Sequence, residues 1–210
     1  MIRYALFDLD ETLYPREAGV LEHIGRRIEQ YLVERLHLAP EEASRLRVEY
    51  RERYGTTLAG LLADHRADAE DYLAYVHDVP VEQLLRPQAE LDGILALLPW
   101  ECVILTNSDR RHAERVLAAL GIRRHFSRIF DIAGMGYRQK PHPAVYQQAL
   151  AALGAEGAAC LMIDDVLRNL TAAKAWGMTT VWVGPHAVPS EGIDYCITAI
   201  TGIAGVAASI

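Results

Sequence analysis

The chain has 210 residues, 51% hydrophobic and 23% charged, with a formal charge of −7. This composition excludes a disordered chain, and the acidic balance excludes a general nucleic-acid binder, which needs clustered Lys and Arg to release counterions. A small phosphorylated ligand, which needs only local positive charge, stays open.

The first element, RYALF, reads as a buried strand, yet it runs straight into FDLDETLYP with Asp8, Asp10 and Glu11. Burying unpaired charges is costly, so these carboxylates require water or a cation. From Gly19 to about Leu85 no strand-like run occurs. Leu21, Ile24, Ile28, Leu32 and Leu36 recur at helical spacing. A second helix opens with Pro40, Glu41 and Glu42 and runs to Tyr54, where Gly55 stops it; further helical pattern covers Leu58–Leu62 and Glu70–Val76.

After Pro87 short apolar runs alternate with helices. The spacing predicts a strand at Cys102–Leu105, a helix at Arg110–Leu120 closed by Gly121, and a strand at Ile129–Ala133. It continues with a helix at Pro143–Leu153, a strand at Cys160–Ile163, a helix at Leu167–Trp176 and a strand at Thr180–Val183. The last stretch, YCITAITGIAGVAASI, falls short of the roughly 20 apolar residues of a membrane span. It reads as an edge strand followed by a loosely specified tail. Cys102, Cys160 and Cys196 form no CxxC pair and read as reduced thiols, the first two in buried strands. Asp8 arrives before any apolar stretch could serve as a signal sequence, so the expectation is a cytoplasmic protein with no membrane partner.

Alternating strands and helices imply an α/β fold, a Rossmann-like parallel sheet covered on both faces. The expected core is residues 1–14 and 86–210. Residues 15–85 form a small all-helical cap inserted after the first strand, where open α/β sheets place their ligand crevice.

Each main strand ends in polar residues: Asp8-Leu9-Asp10, Thr106-Asn107-Ser108 and Asp164-Asp165. Gln139-Lys140-Pro141 precedes the helix at Pro143. Parallel strands bring these ends to one edge of the sheet, and residues two apart on a strand face the same side. Three carboxylates 6–7 Å apart repel by about 2.5 kcal/mol per pair at an effective dielectric near 20. One lysine cannot offset that, whereas a divalent cation can. The donors are oxygens, which points to Mg²⁺ rather than Zn²⁺. Mg²⁺, carboxylates, a lysine and a threonine hydroxyl suit phosphate chemistry, and no GxxxxGK[ST] loop is present for a nucleoside triphosphate. An aspartate that itself attacks phosphorus remains.

In this order, DLDET, ILTNS, QKPHP and IDDVLRN resemble the four motifs of the haloacid dehalogenase superfamily. Within it, LYP, YGTTLAGL, YVHD and AKAWGMTTVWV look similar to the pyrimidine 5′-nucleotidase group. The resemblance implies Asp8 as nucleophile and Asp10 as general acid and then base. It implies Mg²⁺ held by Asp8, Asp165 and the backbone carbonyl of Asp10, with Asp164 closer to the second coordination layer. Thr106, the Asn107 backbone and Lys140 would hold phosphate oxygens. Asp10 itself favours a phosphatase over a dehalogenase. Two departures are Val166, where Ser or Thr is commoner, and Glu11, read as a solvated carboxylate in the turn.

Tyr14, Tyr54 and the turn Gly55-Thr56-Thr57 are the candidates for substrate contact. Ser108 and Asp109 read as helix caps. His23, His37, His112 and His125 read as residues of solvated helix faces, and Trp100, Trp176 and Trp182 as packing. The expected activity is Mg²⁺-dependent hydrolysis of a small phosphomonoester, with a pyrimidine nucleoside 5′-monophosphate as the finer reading. Another phosphometabolite, a sugar phosphomutase outcome, or an idle phosphometabolite-binding module are the alternatives.

Overall fold

The computed structural model describes residues 1–210. The chain opens with β1 (Tyr4–Phe7), followed by the helices α1 (Val20–Leu36), α2 (Pro40–Tyr54), α3 (Thr57–Asp64) and α4 (Ala69–Val76). Then come α5 (Val81–Leu84), α6 (Ala89–Leu97), β2 (Glu101–Leu105), α7 (Arg110–Ala119), β3 (Phe126–Phe130) and α8 (Pro143–Leu153). The chain closes with β4 (Cys160–Asp164), α9 (Leu167–Ala175), β5 (Thr179–Val183), β6 (Tyr195–Ile197) and α10 (Ile203–Ser209).

The strands form one parallel sheet in the order β3-β2-β1-β4-β5-β6. Phe7 pairs with Ile104 on one side and Ile163 on the other, so Asp8, Thr106 and Asp164 follow at the same edge. The order reverses at β1: the chain builds outward through β2 and β3, then crosses to β4. The carboxyl ends of β1 and β4 therefore flank a topological switch point, where such sheets open a crevice. β1, β2 and β4 are buried on both faces, which is why they read as near-continuous apolar runs. Leu6, Val103 and Met162 of the sheet pack with Val145, Ala149 and Leu170 of α8 and α9.

The chain divides into two compact units, Met1–Ala18 with Val81–Ile210, and Gly19–Pro80. The boundaries fall four to five residues from 14/15 and 85/86. α5 goes with the sheet because Glu82 takes a two-pronged ion pair from Arg115 of α7, at 2.7 and 2.8 Å. The Gly19–Pro80 unit has its own core: Tyr31 of α1 meets Tyr72 and Tyr75 of α4 edge-to-face, with ring centroids at 5.0 and 5.4 Å. Gly60 of α3 lies under Tyr50 of α2, and a Cβ there would stand 2.3 Å from the tyrosine ring. Gly60→Ala is therefore expected to destabilise by about 1–3 kcal/mol through overpacking. Urea unfolding reads this, and an unchanged midpoint would refute the close approach.

Two sequence expectations are corrected, and one helix is added. The third strand is Phe126–Phe130, three residues before the expected Ile129–Ala133. It is an edge strand with exposed Ser127 and Arg128, and the ladder shifts register between Cys102 and Val103, so its apolar alternation is broken. The C-terminal tail is ordered: after the edge strand β6, α10 buries Ile203 and Val206. α6 escaped notice, although its Leu91 and Leu95 are buried. No helix is long and apolar enough to cross a membrane.

Candidate active site

The ends of β1 and β4 bring carboxylates together. Oxygens of Asp8, Asp164 and Asp165 all lie within 4.8 Å of one another. Lys140, 2% exposed, reaches between two of them: its Nζ donates to Asp8 Oδ1 and to Asp164 Oδ2, both at 2.7 Å. Asp164 also accepts from Val166 N at 2.8 Å and from Asn169 Nδ2 at 3.0 Å. Thr12 Oγ1 lies 3.1 Å from Asp8 Oδ2 and 3.3 Å from Asp165 Oδ1, and it accepts from Asp165 N at 3.1 Å. The carbonyl of Asp165 is tied to Trp182 Nε1 at 2.9 Å, so that tryptophan anchors the site as well as packing.

The charges do not balance. Burial pushes Asp8 up to about 7, against the pull of Lys140 and with a further push from Asp164. Burial, then Asp8 and Asp164, push Asp165 up to about 8. Burial works against the Lys140 ammonium, but Asp164 and Asp8 hold it above the ordinary lysine range. One fixed cation thus faces three acids, and the deficit suits a divalent ion. Three clustered oxygen donors fit Mg²⁺. Asp8 and Asp165 are the side chains that could hold it. Asp164, engaged by Lys140, Asn169 and Val166, could support it from behind.

Asp10 has the opposite environment. Its Oδ1 accepts from Tyr14 OH at 2.5 Å and pairs with His112 Nε2 at 2.8 Å; its Oδ2 accepts from Ser108 Oγ at 2.7 Å. Burial alone would raise its pKa, but His112, Tyr14 and Ser108 hold the carboxyl well below the usual range. Burial disfavours the His112 imidazolium, yet Asp10 beside it raises its affinity for a proton above the ordinary value. Two aspartates two residues apart thus sit in opposite environments, Asp10 favoured as the anion and Asp8 pushed toward the neutral acid.

The other predicted residues fall as follows. Thr106 Oγ1 accepts from Ser108 N at 3.0 Å. The Asn107 carboxamide clamps the backbone of Lys140, accepting from Lys140 N at 2.7 Å and donating to its carbonyl at 3.3 Å; the Lys140-Pro141 bond is cis. Any phosphate contact from Asn107 thus comes from its backbone. Tyr14 joins the site, but with its hydroxyl on Asp10. Tyr54 and Thr56 belong to the helical unit, where Tyr54 OH donates to Asp64 at 3.0 Å and Thr56 caps α3 by accepting from Ala59 N. Asp109 caps α7, accepting from His112 N at 2.7 Å.

His112 is the main correction. It is 1% exposed rather than solvated, because it shares a buried stripe with Ala113, Val116 and Leu117 that helical spacing alone could have shown. Ser108 is on Asp10 instead of capping a helix. Glu11 is partly buried, at positive φ, with Arg16 at 3.9 Å. Thr12 and Asn169 were also missed: each lies inside a quoted motif, but only the folded chain shows which carboxylate it touches. At Val166 no side chain caps α9, and the Asp164 carboxylate takes the Val166 N–H instead.

The haloacid dehalogenase-like hydrolase profile matches residues 2–177. The chain belongs to the haloacid dehalogenase-like hydrolase family. Among curated relatives, the chain is 27% identical over 193 residues to Phosphate metabolism protein 8 of Saccharomyces cerevisiae, covering 82% of this chain and 58% of that protein. It is 32% identical over 130 residues to phosphoglycolate phosphatase of Neisseria gonorrhoeae, covering 57% of this chain and 54% of that one. The match thus spans little more than half the length of these two relatives. Among solved structures of the family, the magnesium-bound HAD-hydrolase YfnB of Bacillus subtilis superposes with a TM-score of 0.66 at 18% identity, over 99% of both chains. At that identity the likeness concerns the fold.

Proposed function

We propose that this family member is a Mg²⁺-dependent phosphomonoester hydrolase that works through an aspartyl-phosphate on Asp8. The observation that carries the reading is a single constellation. The Asp8 carboxylate is held by Lys140 and Thr12 beside Asp165, and Asp10 lies two residues on, hydrogen-bonded to Tyr14 and Ser108. The names of the phosphatase relatives support it. Bound Mg²⁺ would supply positive charge for the phosphate oxygens and keep the acids ionised.

The remaining roles fall to the chain's own residues. Asp8 attacks phosphorus. Lys140 and the backbone at Asn107 stabilise charge on the transferring group, with Thr106 beside them. Asp10 gives a proton to the leaving oxygen and then takes one from the water that cleaves the aspartyl-phosphate. The finer reading is a pyrimidine nucleoside 5′-monophosphatase. It is supported by the sequence likeness of LYP, YGTTLAGL and YVHD, and it keeps Tyr54 and Thr56 as candidate selectivity residues.

Phosphate release should be measured on UMP, CMP, AMP, GMP, sugar phosphates and phosphoglycolate with and without Mg²⁺. Mg²⁺-dependent release from at least one ester is expected, with UMP and CMP fastest. No release from any would sink the proposal. A sugar phosphate isomerised without release would indicate a mutase, and binding without turnover an idle member.

A second expectation concerns pH. In the metal-free protein Asp8 and Asp165 bind protons up to about 7 and about 8, against 3.8 ordinarily. Between pH 4 and 8 the native state therefore holds more protons than the unfolded chain, so stability falls as pH rises through that window. Mg²⁺ needs the ionised acids, so its stabilising effect should grow with pH. The melting-temperature difference between Mg²⁺ and EDTA samples should be small at pH 5.5 and large at pH 8. The reverse trend would rule out these two acids as ligands.

A further inference from the structure

Asp8 and Asp164 are held through their side chains: Lys140 Nζ donates to both, and Asn169 Nδ2 and Val166 N also reach Asp164. Asp165 is held differently. Its half-buried carboxylate faces Thr12 Oγ1 at 3.3 Å, a hydroxyl whose single proton is shared with Asp8 Oδ2 at 3.1 Å. The aim of this carboxylate is therefore set by its backbone, and three bonds fix the peptides on either side of it. Asp165 N donates to Thr12 Oγ1 at 3.1 Å, Val166 N donates to Asp164 Oδ1 at 2.8 Å, and Asp165 O accepts from Trp182 Nε1 at 2.9 Å. The first two come from groups that already serve Asp8 and Lys140. The third comes from outside the four superfamily motifs. Trp182 is a firm post for it: its backbone on β5 is paired with Asp164 on one side and Cys196 on the other. Its ring packs against the buried cluster that includes Met162 and Leu170. The indole carries no charge, so it acts on the geometry of Asp165 and not on the charge balance of the acids.

We propose that Trp182 is a positioning residue for metal binding: its indole N–H holds the peptide after Asp165, so that this carboxylate stands beside Asp8 before an ion arrives. The inference rests on the Mg²⁺ part of the proposed function. Without the indole bond, the Asp165–Val166 peptide keeps only the anchor at Val166 N, and ion binding must order the rest. The cost falls on affinity: removing a group that orients a metal ligand typically weakens binding by about 10–100-fold. Coupling between two interactions is reciprocal, so a bound ion also strengthens the indole bond.

Calorimetric titration of the free protein with Mg²⁺ tests this on wild type, Trp182→Phe and Trp176→Phe. Trp176 packs against the same buried cluster and serves as the control for lost packing. Trp182→Phe should raise the Mg²⁺ Kd on the order of 10-fold, and Trp176→Phe should leave it within about twofold. Melting in EDTA reads the packing loss that both variants share, so a merely structural role would move melting and leave Kd alone. On the ester turned over fastest in the panel above, the Mg²⁺ concentration for half-maximal rate should rise in parallel, while kcat at saturating Mg²⁺ stays within about threefold. Unchanged affinity in Trp182→Phe, or an equal rise in Trp176→Phe, would overturn the inference. If Trp182→Phe does not fold, wild-type protein with ¹⁵N-labelled tryptophan decides, its three indole signals assigned from Trp100→Phe and Trp176→Phe. The Trp182 signal should shift along the calorimetric binding curve, and a signal indifferent to bound Mg²⁺ would overturn the inference. Wild-type protein that binds no Mg²⁺ overturns the metal reading and this inference together. Wild-type protein that binds Mg²⁺ yet hydrolyses no ester fails the phosphomonoesterase reading alone.

Discussion

Lys140→Met is expected to destabilise the sheet unit by about 3–5 kcal/mol at pH 8 without Mg²⁺. Methionine matches the lysine stem in length but removes the only ammonium in contact with Asp8 and Asp164. Asp164 is fully buried and Asp8 nearly so. Two carboxylates would then face each other and Asp165 with no opposing charge. Against a typical total of about 5–15 kcal/mol, that is a large fraction. Protonation offers the variant a partial escape, because burial already favours the neutral form of Asp8 and Asp165. The loss should therefore be clearly smaller at pH 5.5 than at pH 8. Guanidinium unfolding at the two pH values tests this. A change under about 1 kcal/mol at pH 8, the scale of an exposed ion pair, would refute the buried bridge.

Asp8→Asn is expected to remove activity by on the order of 10⁴-fold or more while the fold survives. The carboxamide oxygen still accepts from Lys140, and one of three crowded charges disappears, so melting should shift little. A carboxamide cannot form the acyl-phosphate, so rapid quenching with a labelled ester should trap phosphorylated wild-type protein and none of the variant. An Asp8→Asn protein that still turns over would show that the nucleophile lies elsewhere.

The convergence of Asp8, Lys140, Asp164 and Asp165 was legible because the parallel sheet does the gathering. Each lies just beyond an apolar strand or in a short loop beside one, and such strands end together. β1, β2 and β4 were legible for the same reason: burial on both faces demands uninterrupted apolar residues. β3 was misplaced because an edge strand with a bulge need not satisfy that demand. Its Ser127 and Arg128 face solvent and hid the pattern. The shell around Asp10 was illegible for another reason. His112 is polar on an otherwise apolar stripe, and only the fold shows that a carboxylate 102 residues earlier in the chain is its partner. Ser108 and Asp109 both read as caps because either side chain is chemically able to take the role, but Asp109 takes it and Ser108 turns to Asp10.

The central placement of β1 also sets a schedule for biosynthesis. Its outer neighbour on one side, β4, ends at Asp164, so 156 residues separate Asp8 from the segment that completes its surroundings. At about 5–20 residues per second, a ribosome needs roughly 8–30 s to bridge that gap. For the first 132 residues of that interval the nascent acidic turn lacks its ammonium partner, and to the end of it lacks its second ladder, so the emerging polypeptide offers a half-paired hydrophobic ribbon to chaperones and proteases.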